Sequence, residues 1–452
     1  MPDKALIDAD GKFRFNAYVV GEYLKEKYTF ATHIDSGIIY YYNGGYYDPR
    51  GEQIIAQECR NLLDEEATAH KIREVTEHIR QTTYRRPEEF EVPPNLINVK
   101  NGIYDIETDQ LLPHNPKYPF LQQIPVEYRE GADCPRIKEF LEQVAYKEDI
   151  PILQEFTGYC LYRKHSFHRA LLLVGGGRNG KSTFLTLIRK FLGEQNVATP
   201  SLQALCNNRF APAELYGKLA CIHADLPFTR LVSTGMFKML TGEDMIYAEK
   251  KRKDPFYFQN YAKLLFSTNA PPMVDDTSEA FWSRWIVIEF PNTFPENDPR
   301  TDPHILDKMT TPDELSGMLN WALEGLKRLL KQGHFSTSKT SLEMQEKWAS
   351  YSDSLRYFVL KAVKPEPSAW IEKGAFYEAY CKFCEDHEIT PQEKAMVGRR
   401  LPTLVPYVTE IYKLGKIRAW KGIALLPPYD ELVRDRSGFT VPTQQLIQLK
   451  KE

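Results

Sequence analysis

No run of apolar residues in this 452-residue chain approaches the ~20 needed to cross a bilayer as a helix, which argues against a membrane partner. The amino terminus, MPDKALIDADGKFRF, lacks the basic-then-apolar layout of a secretory signal. Cysteine is scarce and odd in number: Cys59, Cys134, Cys160, Cys206, Cys221, Cys381 and Cys384. Scattered in this way they read as reduced thiols of a cytoplasmic protein, not a disulfide framework. Cys381, Cys384 and His387 stand at metal-like spacing, but no second pair lies nearby to complete four ligands. They also fall at i, i+3 and i+6 of GAFYEAYCKFCEDH, an evident helix, which is the preferred reading. Repeats and low-complexity tracts are absent, and a net charge of -3 has no signature by itself. A nucleic-acid binder of such charge must cluster its basic residues.

What is present is an ordinary globular composition, 42% hydrophobic and 26% charged, long enough for two to four domains. GIIYYYNGGYYDPRG predicts two short strands joined at Asn43-Gly44-Gly45, and a helical stretch follows with Ile54, Ile55, Leu62, Leu63, Ile72, Val75 and Ile79. The proline-rich RRPEEFEVPPN closes an α+β region over 1–94. Short strands and two amphipathic helices fill 95–165. Residues 166–300 alternate strands (Ala170–Val174, Leu219–Ala224, Lys263–Ser267, Trp285–Phe290) with helices, the pattern of an α/β domain with a largely parallel sheet. A helical segment, 301–350, holds DELSGMLNWALEGLKRLL with its leucines on one face. In 351–452, helices near 353–363, 373–387 and 391–401 precede a basic strand pair, which suggests a winged helix-turn-helix.

LLLVGGGRNGKSTFL carries the chemistry. Gly175, Gly176, Gly177, Arg178, Asn179, Gly180, Lys181 and Ser182 fit GxxxxGK[ST] in full, with Thr183 following, a strand before and a helix after. Glycines let backbone N–H groups turn inward around phosphates, and the helix N-terminus adds its positive end. Lys181 is expected to reach the β- and γ-phosphates of ATP, and Ser182 to ligate Mg²⁺. KLACIHADLP ends an apolar strand on Asp225, the second expected Mg²⁺ ligand. Ala224 stands where many ring ATPases have a second acid, so Glu243 and Asp244 are weak candidates for the general base. KLLFSTNAPP ends on Asn269, placed to feel the γ-phosphate or hold the attacking water, though a turn asparagine looks the same. EAFWSRWIVIEF sets Arg284 before a final strand, as an arginine donated to a neighbouring subunit's γ-phosphate or as a surface ion-pair residue.

Between the second and third of these strands lie Lys250, Lys251, Arg252 and Lys253, flanked by Met245–Ala248 and Phe256–Gln259. A hairpin with a basic tip and aromatic flanks suits the phosphates and bases of single-stranded DNA. Segment 391–422 is also basic, with Lys394, Arg399, Arg400, Lys413, Lys416, Arg418 and Lys421 against Glu393 and Glu410.

In this order the motifs resemble the superfamily 3 helicases, in the phage/plasmid primase–helicase and poxvirus-type branch. GGGRNGKST looks like the family's phosphate loop, FKMLTGEDMIYAEKKRKDPFYF its B′ segment, LLFSTNAPP its motif C and FWSRW its arginine-finger region. NLINVKNGIYDIETDQLLPHNP is similar to the collar-like domain that precedes the ATPase. The resemblance implies an AAA+-like core, a ring that is usually a hexamer, and ATP sites between subunits. It also implies 3′ to 5′ movement on single-stranded or forked DNA, with a primase or polymerase as a further partner. Relatives often show two arginines where this chain has Ser283-Arg284. The expected function is an ATP-dependent helicase of a viral, phage or plasmid replication system. The alternative is an AAA+ ATPase that loads or remodels replication proteins without unwinding. A small-molecule kinase would gain nothing from a basic hairpin or a trans arginine.

Overall fold

The computed structural model describes residues 14–436 apart from 232, 252, 253, 275, 277, 338, 388 and 414–416. Two compact units emerge. One takes the chain up to 226 with 233–268 and 288–338, and the other takes 227–232, 269–287 and 339 onward.

In the first unit, strands Phe30–His33, Ile39–Tyr42, Tyr47–Asp48 and Tyr84–Arg85 form a four-stranded sheet beside helices Ala17–Lys27, Gly51–Leu63 and Ala69–Thr82. The tyrosine-rich hairpin turns where expected, because Asn43 Oδ1 accepts from the N–H groups of Gly45 and Tyr46. The single helical stretch expected after it is two helices, the second starting on the Thr68 cap. A three-stranded antiparallel sheet (Leu96–Val99, Gly102–Asp105, Gln110–Leu112) and helices Pro135–Val144 and Ile150–Tyr159 come next.

The central elements are β1 (Ala170–Val174), α1 (Lys181–Leu192), β2 (Val197–Ala198), β3 (Ala220–His223), β4 (Met245–Ala248), β5 (Phe256–Gln259), β6 (Lys263–Thr268), β7 (Trp285–Glu289) and α2 (Pro312–Gln332). The main sheet runs β7-β1-β6-β3-β2, and β4 pairs with β5 as a separate antiparallel hairpin. The pairings β1–β6, β6–β3 and β3–β2 are parallel. β1 and β6 are buried along their whole length, as parallel strands covered on both faces must be. The four expected strands are all present to within a residue or two. Strand β2, only two residues long, has no sequence pattern to announce it.

Helix α2 starts on the Thr311 cap with Pro312 at its first position and stops at Gly333. It lies along Ile150–Tyr159 so closely that a methyl group on Gly158 would come within 2.2 Å of the Ala322 carbonyl oxygen. Beneath this crossing the buried Glu155 accepts from Arg328 Nε at 2.8 Å and from the Ser336 N–H at 2.8 Å. Gly158→Ala is therefore expected to cost about 1–3 kcal/mol by forcing the helices apart, read as a lowered thermal unfolding midpoint.

The second unit holds helices Ser341–Ser352 and Ser354–Ala362, strand Val363–Glu372, helices Lys373–Asp386 and Lys394–Leu404, then strands Thr409–Lys413 and Ile417–Leu425. The last strand is central in its three-stranded sheet. Leu355, Phe358, Phe376, Tyr380, Phe383, Leu401 and Trp420 fill the core. Strand Val363–Glu372 escapes sequence reading because Pro365 and Pro367 interrupt its alternation and its register shifts between Glu366 and Trp370. Cys384 is buried here, and the His387 ring stacks on Phe383 at 4.0 Å. The basic tally over 391–422 is partly spent internally: Arg400 grips the buried Asp353 at 2.6 and 2.9 Å, and Arg418 pairs with Glu410 at 2.8 Å. Lys416 lies outside the described residues.

Among the described residues, no helix is long and apolar enough to cross a membrane.

Candidate nucleotide and nucleic-acid site

The register of the parallel strands sets the geometry. Thr268 of β6 pairs with Val174 of β1, and Phe266 pairs with His223 of β3, so the three strands end nearly level. The loops that leave them begin at Gly175, Asn269 and Ala224, and the carboxyl edge of a parallel sheet is where ligands bind in open α/β folds.

The phosphate loop is braced from within. Lys181 Nζ donates to the Gly175 and Gly176 carbonyl oxygens and to Asn179 Oδ1, each at 2.9 Å. Asn179 is itself buried and donates through Nδ2 to the Phe290 carbonyl at 3.1 Å. Gly175 has φ +147°, and a Cβ there would strike Asn179 Nδ2 at 2.3 Å, so only glycine fits. Gly176, Gly177, Arg178 and Ser182 are exposed, Gly180 and Thr183 half-buried. The Arg178 carbonyl accepts from the Phe294 N–H at 2.7 Å, and its side chain pairs with Glu296 at 3.0 Å. Burial lowers the Lys181 pKa, and the nearby Asp225 charge partly restores it.

Asp225 stands on a tight turn at φ +54°, unusual for any residue but glycine. The turn is tied to β6: the Asp225 N–H donates to Ser267 Oγ at 3.4 Å and the Leu226 N–H to the Ser267 carbonyl at 2.9 Å. Asp225 itself is exposed. Glu243 and Asp244 are exposed just before β4. Asn269 and Arg284 belong to the second unit. Asn269, exposed, follows Thr268 directly in the chain, and the half-buried Arg284 donates to the Ala280 carbonyl immediately before β7.

The hairpin forms over the strands expected from sequence. Ile246, Ala248, Phe256 and Phe258 face inward, while Met245, Tyr247 and Tyr257 stand outward at 57%, 47% and 58% exposure. Tyr247 and Tyr257 meet edge to face at 5.4 Å. Lys250 lies 5.6 Å from the Phe256 ring and Lys251 is exposed at the tip. Arg252 and Lys253 lie outside the described residues. The outward tyrosine pair escapes sequence reading, although the alternation of outward and inward side chains is visible in MIYA and FYFQ once the hairpin is drawn.

Sequence reasoning also missed Lys263, the first residue of β6. It is fully buried, donates to the Tyr162 and Tyr261 carbonyl oxygens at 2.8 and 2.6 Å, and sits 4.2 Å from the Tyr159 ring. Burial lowers its pKa to about 7 from an ordinary 10.5. Between those values the unfolded chain binds the extra proton, so stability rises as pH climbs from 7 towards 10.5. Lys263→Met is expected to flatten that slope in denaturant titrations across this range.

Residues 17–145 match the family described as D5 N terminal like, and residues 173–284 a family of unknown function, DUF5906. Over 214 residues the chain is 23% identical to a "Putative helicase" of Acanthamoeba polyphaga mimivirus, covering 44% of this chain and 22% of that protein. Over 222 residues it is 26% identical to a "Putative helicase" of Invertebrate iridescent virus 6, covering 45% and 23%. A "Putative primase" of African swine fever virus (strain Badajoz 1971 Vero-adapted) is 23% identical over 61% of the chain and 31% of its own length. The match thus spans less than a third of each of these relatives. The solved C-terminal region of NrS-1 in its A form covers 90% of this chain and all of its own, at 12% identity and a TM-score of 0.47. The D5 N terminal like match and the viral relatives support kinship with a viral primase–helicase family.

Proposed function

We propose that the chain is an ATP-dependent DNA helicase of a viral, phage or plasmid replication system, of the superfamily 3 type. The observation that carries this reading is the sheet order. β6 is inserted between the strand of the phosphate loop and the strand of Asp225, so that a third strand end stands between nucleotide-binding loop and acid. That arrangement supports an AAA+-like core. A basic, aromatic hairpin in the same unit supports a polymer track over a small-molecule acceptor.

In this reading the backbone N–H groups of Gly176–Ser182 and the start of α1 bind the β- and γ-phosphates, and Lys181 turns from the loop carbonyls to them. Ser182 and Asp225 would hold Mg²⁺, which neutralises charge between the β- and γ-phosphates. Asn269 orients the attacking water, and Arg284 serves the site of the next subunit in a ring, a hexamer by family resemblance. Hydrolysis moves Lys250 and Lys251 with the tyrosine pair along single-stranded DNA, 3′ to 5′. The helix–strand–helix–helix–hairpin order of the second unit supports a winged helix. The viral names of the relatives support work inside a host cell, beside a primase or polymerase.

The test is ATP turnover with and without single-stranded DNA, together with unwinding of a tailed duplex. Stimulated turnover with an opened fork is expected. Stimulated turnover without unwinding would instead mark a loading or remodelling ATPase, and turnover indifferent to DNA would end both readings.

A further inference from the structure

Away from the phosphate loop, the first unit contains a cavity of about 970 Å³. Four separate parts of the chain wall it: residues of the amino-terminal region from Ile38 to Arg50, Leu121, the Gln195–Lys218 region after α1, and Glu249–Lys251 at the hairpin tip. None of Gly175–Thr183 touches it. The volume sits at the upper end of the roughly 300–1,000 Å³ usual for ligand pockets, and one wall is the element proposed above to grip DNA.

Its lining mixes flat rings with cations. Tyr46, Phe210 and Tyr216 are half-buried in the wall, each with part of the side chain left accessible. Arg50, Lys218, Lys250 and Lys251 outnumber the acids Asp48, Glu214 and Glu249. Two of those acids are already matched. Asp48 and Arg50 hold each other through Nε and Nη2 at 2.9 and 2.6 Å and so cancel, and Glu249 is held by Arg209 at 3.4 Å, which leaves Lys218, Lys250 and Lys251 against Glu214. Arg209, outside the lining, also lies 4.7 Å from the ring of the lining Phe210. Aromatic faces beside cations take the bases and phosphates of a single strand without regard to sequence. The cavity is also tied to the hairpin core, because Tyr216 meets Phe256 and Phe258 edge to face at 5.4 and 5.6 Å, and His33 at 5.7 Å.

We infer that this cavity is a second single-stranded DNA site, taking the bases of the strand that passes the hairpin tip; the inference rests on the DNA-motor reading. Phe210 and Tyr46 stack on bases, and Lys250 and Lys251 meet phosphates at the mouth. Because Tyr216 joins the wall to the hairpin strands, a filled cavity steadies the hairpin between successive steps.

The experiment uses the full chain and a thymidine oligonucleotide carrying 4-thiothymidine, cross-linked by light and mapped by mass spectrometry. Cross-links on peptides containing Tyr46, Phe210 or Tyr216, besides those of the hairpin, are expected. Phe210→Ala should weaken oligonucleotide binding by about tenfold, the loss of one stacked base, while Phe210→Tyr retains it. Binding of a fluorescent ATP analogue should be unchanged in both variants, which checks their folding. Cross-links confined to Met245–Gln259, or unaltered affinity in Phe210→Ala, overturn the cavity site and leave the motor reading standing. A chain that binds no oligonucleotide and whose ATP turnover ignores DNA ends the motor reading itself, and this inference with it. If Phe210→Ala fails to bind the ATP analogue, the cross-link map of the unaltered chain decides.

Discussion

Lys181→Ala is expected to cut ATP turnover at least about a hundredfold, the scale on which a single preorganised donor to a developing charge is felt. The expectation follows from where the ammonium sits. Its hydrogens are directed at the Gly175 and Gly176 carbonyls and at Asn179 Oδ1, all within the loop proposed to cradle phosphates. A phosphate oxygen, being charged, is a stronger acceptor than these neutral oxygens, so the lysine can move to it with little change of position. Removing the side chain therefore withdraws both the phosphate ligand and an internal brace. The two losses are separable. Asn179→Ala removes part of the brace, through Phe290 and Lys181, but no phosphate ligand, and should reduce turnover far less. Phosphate release under saturating ATP measures both variants. Turnover in Lys181→Ala within threefold of the unaltered chain would remove the loop from the mechanism.

The second large effect belongs to the hairpin. Joint replacement of Lys250 and Lys251 by alanine should leave ATP binding intact while abolishing stimulation by DNA and fork opening. Replacing Tyr247 and Tyr257 together should do the same by a different route, and salt separates the two. Lysines act on phosphates through counterion release, so their loss makes binding less steeply dependent on salt, by about one unit of slope per contact. The tyrosines stand outward from β4 and β5 and offer rings to bases, worth about 1–3 kcal/mol per stacked base at any salt. Their loss should shift affinity and keep the slope. If either pair of substitutions leaves unwinding at its full rate, the hairpin is not the track.

Much of the scaffold can be read in advance because its signals are local. ALLLV and KLLFST announce buried parallel strands by unbroken apolar content, and GGGRNGKST announces a loop by glycine and spacing. Helix α2 is legible at both ends, from Thr311-Pro312 to Gly333, and along its apolar face. Elements without a local signal are the ones missed: the two-residue β2, and the strand Val363–Glu372 with its prolines and shifted register. Charge is misjudged for a related reason. A count along 391–422 treats Arg400 as available, whereas Asp353, outside that window, holds it in the core.

The residue types of the phosphate loop, the acid that ends a strand and the hairpin strands with their basic turn are determined by sequence alone, since each depends on neighbours a few positions away. The tertiary structure decided the rest. It placed β6 between β1 and β3, brought Lys181 within electrostatic reach of Asp225, and closed a cavity from stretches more than a hundred residues apart. Strand order and cavity walls depend on which distant surfaces bury each other, and no local pattern of residues encodes that choice.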